Sequence, residues 1–414
     1  MSRRLKKPEL LLPGGSPEVM RTAIRYGADA VYIGGEAFGL RAMAKNFTDE
    51  EMREGIRFAH ERGKKVYVTA NIFARNSDLV PAEHYFETLN ELAPDGVLIS
   101  DPGLFSIARR VLKGIDLHIS TQSNNTNYGT FLFWRGLGAR RIVTARELSL
   151  AEIREIREHI PEDLEIETFV HGAMCISYSG RCLLSSFLAG RDANRGACTH
   201  PCRWKYALVE EKRPGQYMPV EEDSRGTYLL NSKDLCMIDH IPELISAGID
   251  SFKIEGRMKT ALYAAVTARA YRRAIDDWFA DPAAYERNLP EYRRELTRCT
   301  YRPYTTGFFF GRPGTDAQIY ESNTYERGRT YLGNVEEADD AGRVIFHQKN
   351  KFSVGDVIEI MKPDGRNLPA EVLSIENEDG LPVESAPHPL ERLSVKLSAE
   401  AEPGELLRSK GDAE

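Results

Sequence analysis

Across the first 280 residues the hydrophobic positions alternate between two textures. Short, almost continuous apolar runs follow Gly- or Pro-containing turns, and each leads into a stretch with apolar residues at helical spacing. Eight runs fit strands: Glu9–Pro13, Ala30–Gly34, Lys65–Asn71, Gly96–Asp101, Leu117–Gln122, Arg141–Arg146, Leu164–His171 and Ser251–Gly256. Runs such as Ala30-Val-Tyr-Ile33 show no polar face, as in a parallel sheet covered on both sides. Four turns into them look alike, at Tyr26-Gly-Ala-Asp, Leu92-Ala-Pro-Asp, Leu137-Gly-Ala-Arg and Ala247-Gly-Ile-Asp. A glycine just past a helix takes the left-handed cap conformation before the chain enters a buried strand. Eight such units predict an α/β fold, a (β/α)8 TIM-type barrel over residues 1–280, with an open doubly wound sheet as the alternative. No glycine-rich phosphate loop follows the first strand, because Pro13–Pro17 lacks the spacing.

The rhythm breaks once. Between strands seven and eight lies an insertion, residues 172–250, holding four of the six cysteines as C-x6-C-x15-C-x3-C: Cys175, Cys182, Cys198 and Cys202. Barrels place their chemistry in loops at the carboxyl ends of strands, and a long loop there is more often functional than filler. Four buried structural thiols would need oily flanks, but glycine, serine, arginine and histidine surround these. A reducing interior disfavours disulfides, so a soft metal site is the expectation. The wide first spacing suits an iron–sulfur cluster; zinc, which prefers closely paired ligands, stays open. Lys205–Glu210 and Gly226–Leu230 read as short strands within the insertion. Asp234 reads as a helix cap, with Cys236 inside that helix in a core role.

Thr260 opens a long helix over 260–278. Residues 281–330 read as an irregular, aromatic and basic connector. From residue 331 to 414, alternating strands with Pro/Gly turns predict a small antiparallel β-barrel. This tail carries a net charge of −9 and residues 1–330 carry +2, so bulk acidity does not exclude a phosphate-binding face on the larger part. No apolar run nears the roughly 18 residues of a membrane helix. The short leucine run before Pro13 is no export core, and a cytoplasmic protein is expected.

Strand eight reads Lys253-Ile-Glu-Gly-Arg257, so Lys253, Glu255 and Arg257 face one way. Ionisable residues at alternate positions of a buried strand must pair or bind something. They form either an internal salt-bridge layer or a polar pocket in which Arg257 grips a carboxylate or phosphate. Arg146 and Gln122 end strands six and five at the same mouth. His171 ends strand seven as a possible base, although a lone histidine is more often structural. Candidate catalytic residues are therefore Glu167, His171, Lys253 and Glu255. No H-E-x-x-H or G-x-S-x-G motif supports a protease.

Glu167-Thr-Phe-Val-His-Gly-Ala-Met-Cys175 and Ser179-Gly-Arg-Cys-Leu-Leu-Ser185 resemble the signature of the collagenase-like peptidase U32 family. So do Pro8–Leu11, Gly27–Tyr32, Ser100–Gly103, Arg146–Glu152, Asn231–Leu235, Lys253–Arg257 and Asn350–Asp356, so the resemblance spans nearly the whole chain. The branch most alike is the prephenate-dependent tRNA uridine hydroxylases. The resemblance implies O2-independent hydroxylation of the wobble uridine to 5-hydroxyuridine, with prephenate as cosubstrate. It also implies a [4Fe-4S] cluster on Cys175, Cys182, Cys198 and Cys202. The tRNA anticodon loop is the implied partner. The two carboxylates of prephenate call for guanidinium groups, which Arg257 and Arg146 could supply beside Gln122. A splayed base could stack on Trp204, Tyr206, Tyr301, Tyr304 or Phe308, with Arg203, Lys205 and Arg302 at phosphates. A U32-type peptidase and a noncatalytic RNA-binding factor with a structural zinc are the alternatives.

Overall fold

The computed structural model describes residues 6–39, 46–174, 182–201, 207–208, 218–219, 231–313, 318–319, 325–339 and 342–410. Eight parallel strands form its centre: β1 Glu9–Pro13, β2 Ala30–Ile33, β3 Lys65–Ala70, β4 Gly96–Ile99, β5 Asp116–Ile119, β6 Arg141–Val143, β7 Glu165–Gly172 and β8 Ser251–Ile254. Each pairs with the next in chain order, and β8 pairs with both β7 and β1, which closes the ring. The barrel expected from the apolar runs is thus present, and the open sheet is ruled out. Several strands stop short of the expected ends, so that Gln122 sits in a 3-10 turn after β5 and Arg146 in the loop after β6.

The helices start where the sequence supplies caps. Ser16, Asp101 and Thr260 side chains accept from the third backbone N–H beyond them, and Thr48/Glu51 and Ser149/Glu152 form reciprocal capping boxes. Gly27, Gly138 and Gly248 take positive φ in three of the four repeated turns, and in the fourth Ala93 does so at φ 50°.

Two expectations need correction. Asp234–Cys236 is a strand, not the start of a helix. It pairs antiparallel with the end of β7, placing Leu235 opposite Gly172, and Tyr304–Thr305 lies along its other edge. Edge pairing with β7 outcompetes the local capping signal at Asp234. Cys236 is nonetheless packed against the core, and burial pushes its thiol up to about 12. The connector is not irregular throughout, because Pro282–Leu296 is a helix packed on Ala261–Ala280. Pro290 lies inside that helix. In the insertion, Ala207–Leu208 pairs with Met218–Pro219, overlapping the first candidate strand, while Gly226–Leu230 lies outside the described residues.

The tail forms an antiparallel sheet whose order begins at Tyr331–Asn334 and ends at Glu337–Ala338. These are consecutive pieces of one stretch. Val335 N–H bonds to Glu405 on one side and Glu336 N–H to Ile345 on the other, so the sheet closes on itself as a small barrel with its own apolar core. The two barrels share a seam in which Tyr331, Met361 and Leu406 belong to the larger barrel's core. No helix among the described residues is long and apolar enough to cross a membrane.

Candidate functional site

Inside the barrel the polar side chains form two tiers. The lower is an ion network. Arg141, at the start of β6, reaches Glu9 at 2.6 Å, Glu165 at 2.7 Å and Glu167 at 3.1 Å. Lys253 binds Glu167 at 2.6 Å, and neither is more than 4% exposed. Burial lowers the Lys253 pKa, against the pull of Glu167. The ionisable row divides by height: Lys253 belongs to the salt-bridge layer, and Glu255 and Arg257 line a pocket above it. Arg141 was missed, although one arginine in the otherwise apolar run Arg141-Ile-Val was the available signal.

The upper tier is a small recess, about 50 Å³ in cavity volume, at the carboxyl ends of the strands. Arg146, Lys253, Glu255, Arg257 and Gln122 line it, with Tyr32, Phe169 and Leu98 as apolar wall. The Arg257 guanidinium donates to Thr69 Oγ1 at 2.8 Å and Asn46 Oδ1 at 3.2 Å. It lies so close to Gly34 that a Cβ there would meet its nitrogens at 2.6 Å, so only glycine leaves it room. Arg146 donates to Glu255 at 3.3 Å and rests 4.0 Å over the Phe169 ring.

His171 lies outside this recess. The β7–β8 register slips between Lys253/Phe169 and Ile254/His171, which loops out one residue of β7 and reverses the facing of the residues beyond it. Glu167 and Phe169 thus point inward while His171 meets Tyr263, Tyr271 and Tyr304, with Nδ1 3.4 Å from the Tyr271 hydroxyl. Desolvation holds its pKa down at about 3, so it is neutral at physiological pH, and it does not line the recess. Glu167 sits beneath the floor and acts on the recess only through Lys253.

Of the four clustered cysteines, Cys182 and Cys198 are described, unbridged and half-buried; Cys175 and Cys202 lie outside the described residues, as do Trp204, Tyr206, Arg203 and Lys205. The segment 182–201 docks on the loop after β3. Arg195 binds Asp78 at 2.7 Å and Phe73 N–H bonds to Asn194. Since β3 ends beside Asn71 and Asn71 lines the recess, the cysteine segment sits at the same end of the barrel. Buried Ser185 accepts from Thr199 N–H at 3.1 Å and ties the segment's halves together. His200, at φ 54°, turns its N–H back onto Cys198 Sγ at 3.4 Å. A sulfur that accepts a backbone N–H and keeps partial exposure suits a thiolate ligand of a soft metal, so Cys198 fits such a group.

The aromatic candidates are largely engaged in packing. Tyr304 stacks on Tyr301 and donates to Leu296 carbonyl, and Tyr301 donates to Glu326. Arg302 is buried over the Tyr325 ring. Phe310 is 56% exposed, with the His240 ring 4.5 Å from its own.

The family described as Peptidase family U32 matches residues 15–319, and the Peptidase family U32 C-terminal domain matches residues 327–408. The chain is 41% identical to the tRNA hydroxylation protein P1 of Bacillus subtilis, over 97% of this chain and 95% of that protein. It is 39% identical to the tRNA hydroxylation protein P of Escherichia coli, over 92% of each. It is also 35% identical to the 23S rRNA 5-hydroxycytidine C2501 synthase of Escherichia coli, over 91% of this chain and 52% of that protein.

Proposed function

The chain belongs to peptidase family U32, and on that premise we propose that it is an RNA-hydroxylating enzyme converting the wobble uridine of tRNA to 5-hydroxyuridine. In this reading prephenate is the cosubstrate, dioxygen is not consumed, and Cys175, Cys182, Cys198 and Cys202 hold a [4Fe-4S] cluster. The observation that carries it is the meeting, at one end of the barrel, of a recess lined by Arg146, Lys253 and Arg257 and a segment bearing Cys182 and Cys198.

The recess residues divide the work. Arg257, held by Thr69 and Asn46, presents a fixed fork to a carboxylate. Lys253 adds positive charge at the floor, kept in place by Glu167 and by the Tyr32 ring 4.5 Å away. Tyr32 and Phe169 offer apolar faces to a six-membered ring and exclude water from it. When bound, the cluster supplies redox or Lewis-acid chemistry at iron. The target base, unpaired in an anticodon loop, can be turned out of its stack to reach the mouth.

The test is nucleoside analysis of tRNA from a strain lacking the gene, complemented with wild type or with Arg257→Ala. Loss of 5-hydroxyuridine in the deletion, restored by wild type and not by Arg257→Ala, supports the proposal. Normal levels in the deletion end it where no second enzyme of the family is present. Iron and sulfide in anaerobically purified protein test the cluster, and zinc without sulfide would favour a structural metal.

A further inference from the structure

The helix after β1, Pro17–Arg25, leads away from the recess along the outside of the barrel. It starts beside the recess: the loop before it packs so closely on Arg257 that a Cβ at Gly15 would lie 2.0 Å from the Arg257 carbonyl oxygen. Along this helix the seam between the two barrels opens into a groove of about 580 Å³. Glu18, Arg21 and Arg25 stand on one wall, and Glu336, His347 and Lys349 of the small barrel on the other. Lys349 pairs with Glu18 at 3.0 Å and His347 with Glu336 at 2.6 Å, so the surplus of positive charge comes from the arginines.

At the end of the helix Arg21, Arg25 and Arg62 gather over one ring, with their guanidinium carbons 5.7, 6.0 and 3.8 Å from the Phe58 centroid. Among the described residues no other ring collects three cations; Phe169 has two. Arg21 reaches Glu54 at 3.4 Å and Arg62 reaches Glu61 at 3.5 Å, long contacts between exposed side chains that neutralise little. Arg25 donates to the Pro403 carbonyl at 2.9 Å rather than to a carboxylate. Gly404 gives it room, since a Cβ there would overlap its guanidinium. Burial, and then the charges of Arg62 and Arg21, lower the Arg25 pKa. Guanidinium groups crowded in this way repel one another, and an anion among them relieves that cost.

We infer that this groove seats the backbone of the substrate RNA: a strand leaving the recess follows helix Pro17–Arg25 and lays its phosphates on Arg21, Arg25 and Arg62, with Lys349 at the entrance. A single small anion meets only part of this strip. The helix has nine residues, about 13 Å, and the cations run from Lys349 at its first turn to Arg62 beside its last, which suits a polyanion. Phosphate contacts position the RNA and carry no base information, so the groove sets affinity and direction of approach while the recess takes the base. The inference rests on the reading above for the partner, a tRNA.

The experiment is fluorescence anisotropy of a labelled tRNA transcript with the full-length protein over a range of salt concentrations. Arg21→Gln and Arg62→Gln remove charge without touching the Pro403 contact. Each should weaken binding by roughly fivefold at about 0.1 M salt and lower the slope of log affinity against log salt by about 1, and the double variant should lower it by about 2. Arg135→Gln, an exposed arginine paired with Asp163 on the helix after β5, should change neither. The loss should be the same for transcripts with and without a wobble uridine. Melting curves show that the variants are folded. Unchanged affinity and slope in the double variant overturn the inference and leave the arginines to an acidic protein partner. A loss matched by Arg135→Gln, a general charge effect, also overturns it, as does a loss confined to transcripts with a wobble uridine. If wild type binds tRNA and these shifts are missing, only the inference fails. If wild type binds no tRNA, the proposed function fails and the inference falls with it.

Discussion

Glu295 pins the two barrels together, and its charge state should be readable in the stability of the whole chain. Its carboxylate takes Arg269 at 2.6 Å and Arg408 at 3.2 Å on one oxygen and Arg298 at 3.1 Å on the other. Arg269 comes from a helix of the large barrel and Arg408 from a strand of the small one, where it also binds Glu359 at 2.5 Å. Burial pushes the Glu295 pKa up, but Arg408 and Arg269 outweigh it and bring the group from an ordinary 4.5 down to about 2. A carboxylate depressed on folding contributes fully above its unfolded pKa and loses that contribution as pH falls through the folded one. The interval is worth about 3 kcal/mol at pH 7 and about 1 kcal/mol at pH 3. Glu295→Gln removes it and leaves three guanidinium groups poorly matched, a change in the range of about 3–5 kcal/mol. Urea unfolding of wild type and Glu295→Gln should therefore show a gap that is constant from pH 8 to 6 and shrinks below pH 4.5. A gap that does not change with pH would refute the reasoning, since the held species would not be the ion.

Other consequences are as direct. Glu167→Ala strands Lys253 and Arg141 without their shared carboxylate and should cost about 3–5 kcal/mol in denaturant unfolding, whereas adding Lys253→Met should recover part of it. His171 is depressed from 6.5 to about 3, so the folded state keeps it neutral while the unfolded state gains a proton below 6.5. Stability should then decline as pH falls from 6.5 toward 3, less so in His171→Phe, and a pH–activity profile should show no limb that this variant abolishes. Gly34→Ala places a methyl against the Arg257 nitrogens and should weaken prephenate binding by about tenfold or more, with little change in melting temperature, measured by calorimetry and thermal denaturation. Cys198→Ala should lower iron and sulfide content of anaerobically purified protein while the circular dichroism of the barrel persists.

The parallel barrel was legible because strands such as Ala30-Val-Tyr-Ile33 are buried on both faces and read as continuous apolar runs. The cysteine quartet stood out through spacing and flanks, and the alternation in Lys253-Ile-Glu-Gly-Arg257 announced an inward row of charge. Local signals went wrong where a tertiary partner overruled them. Asp234 had a cap's chemistry, yet the open edge of β7 claimed it, and Pro282–Leu296 forms a helix that packing against Ala261–Ala280 sustains. The facing of His171 was beyond reach, because one looped-out residue in β7 reverses the pleat and no composition rule marks a bulge. The partition of the row into a neutralised layer, Lys253 on Glu167, and a mouth where Arg146 and Arg257 meet a cavity was likewise decided in three dimensions. Periodicity along a chain records which side chains leave water. Which charges then meet depends on strands far apart in sequence, whose heights in the barrel are set only when the ring closes.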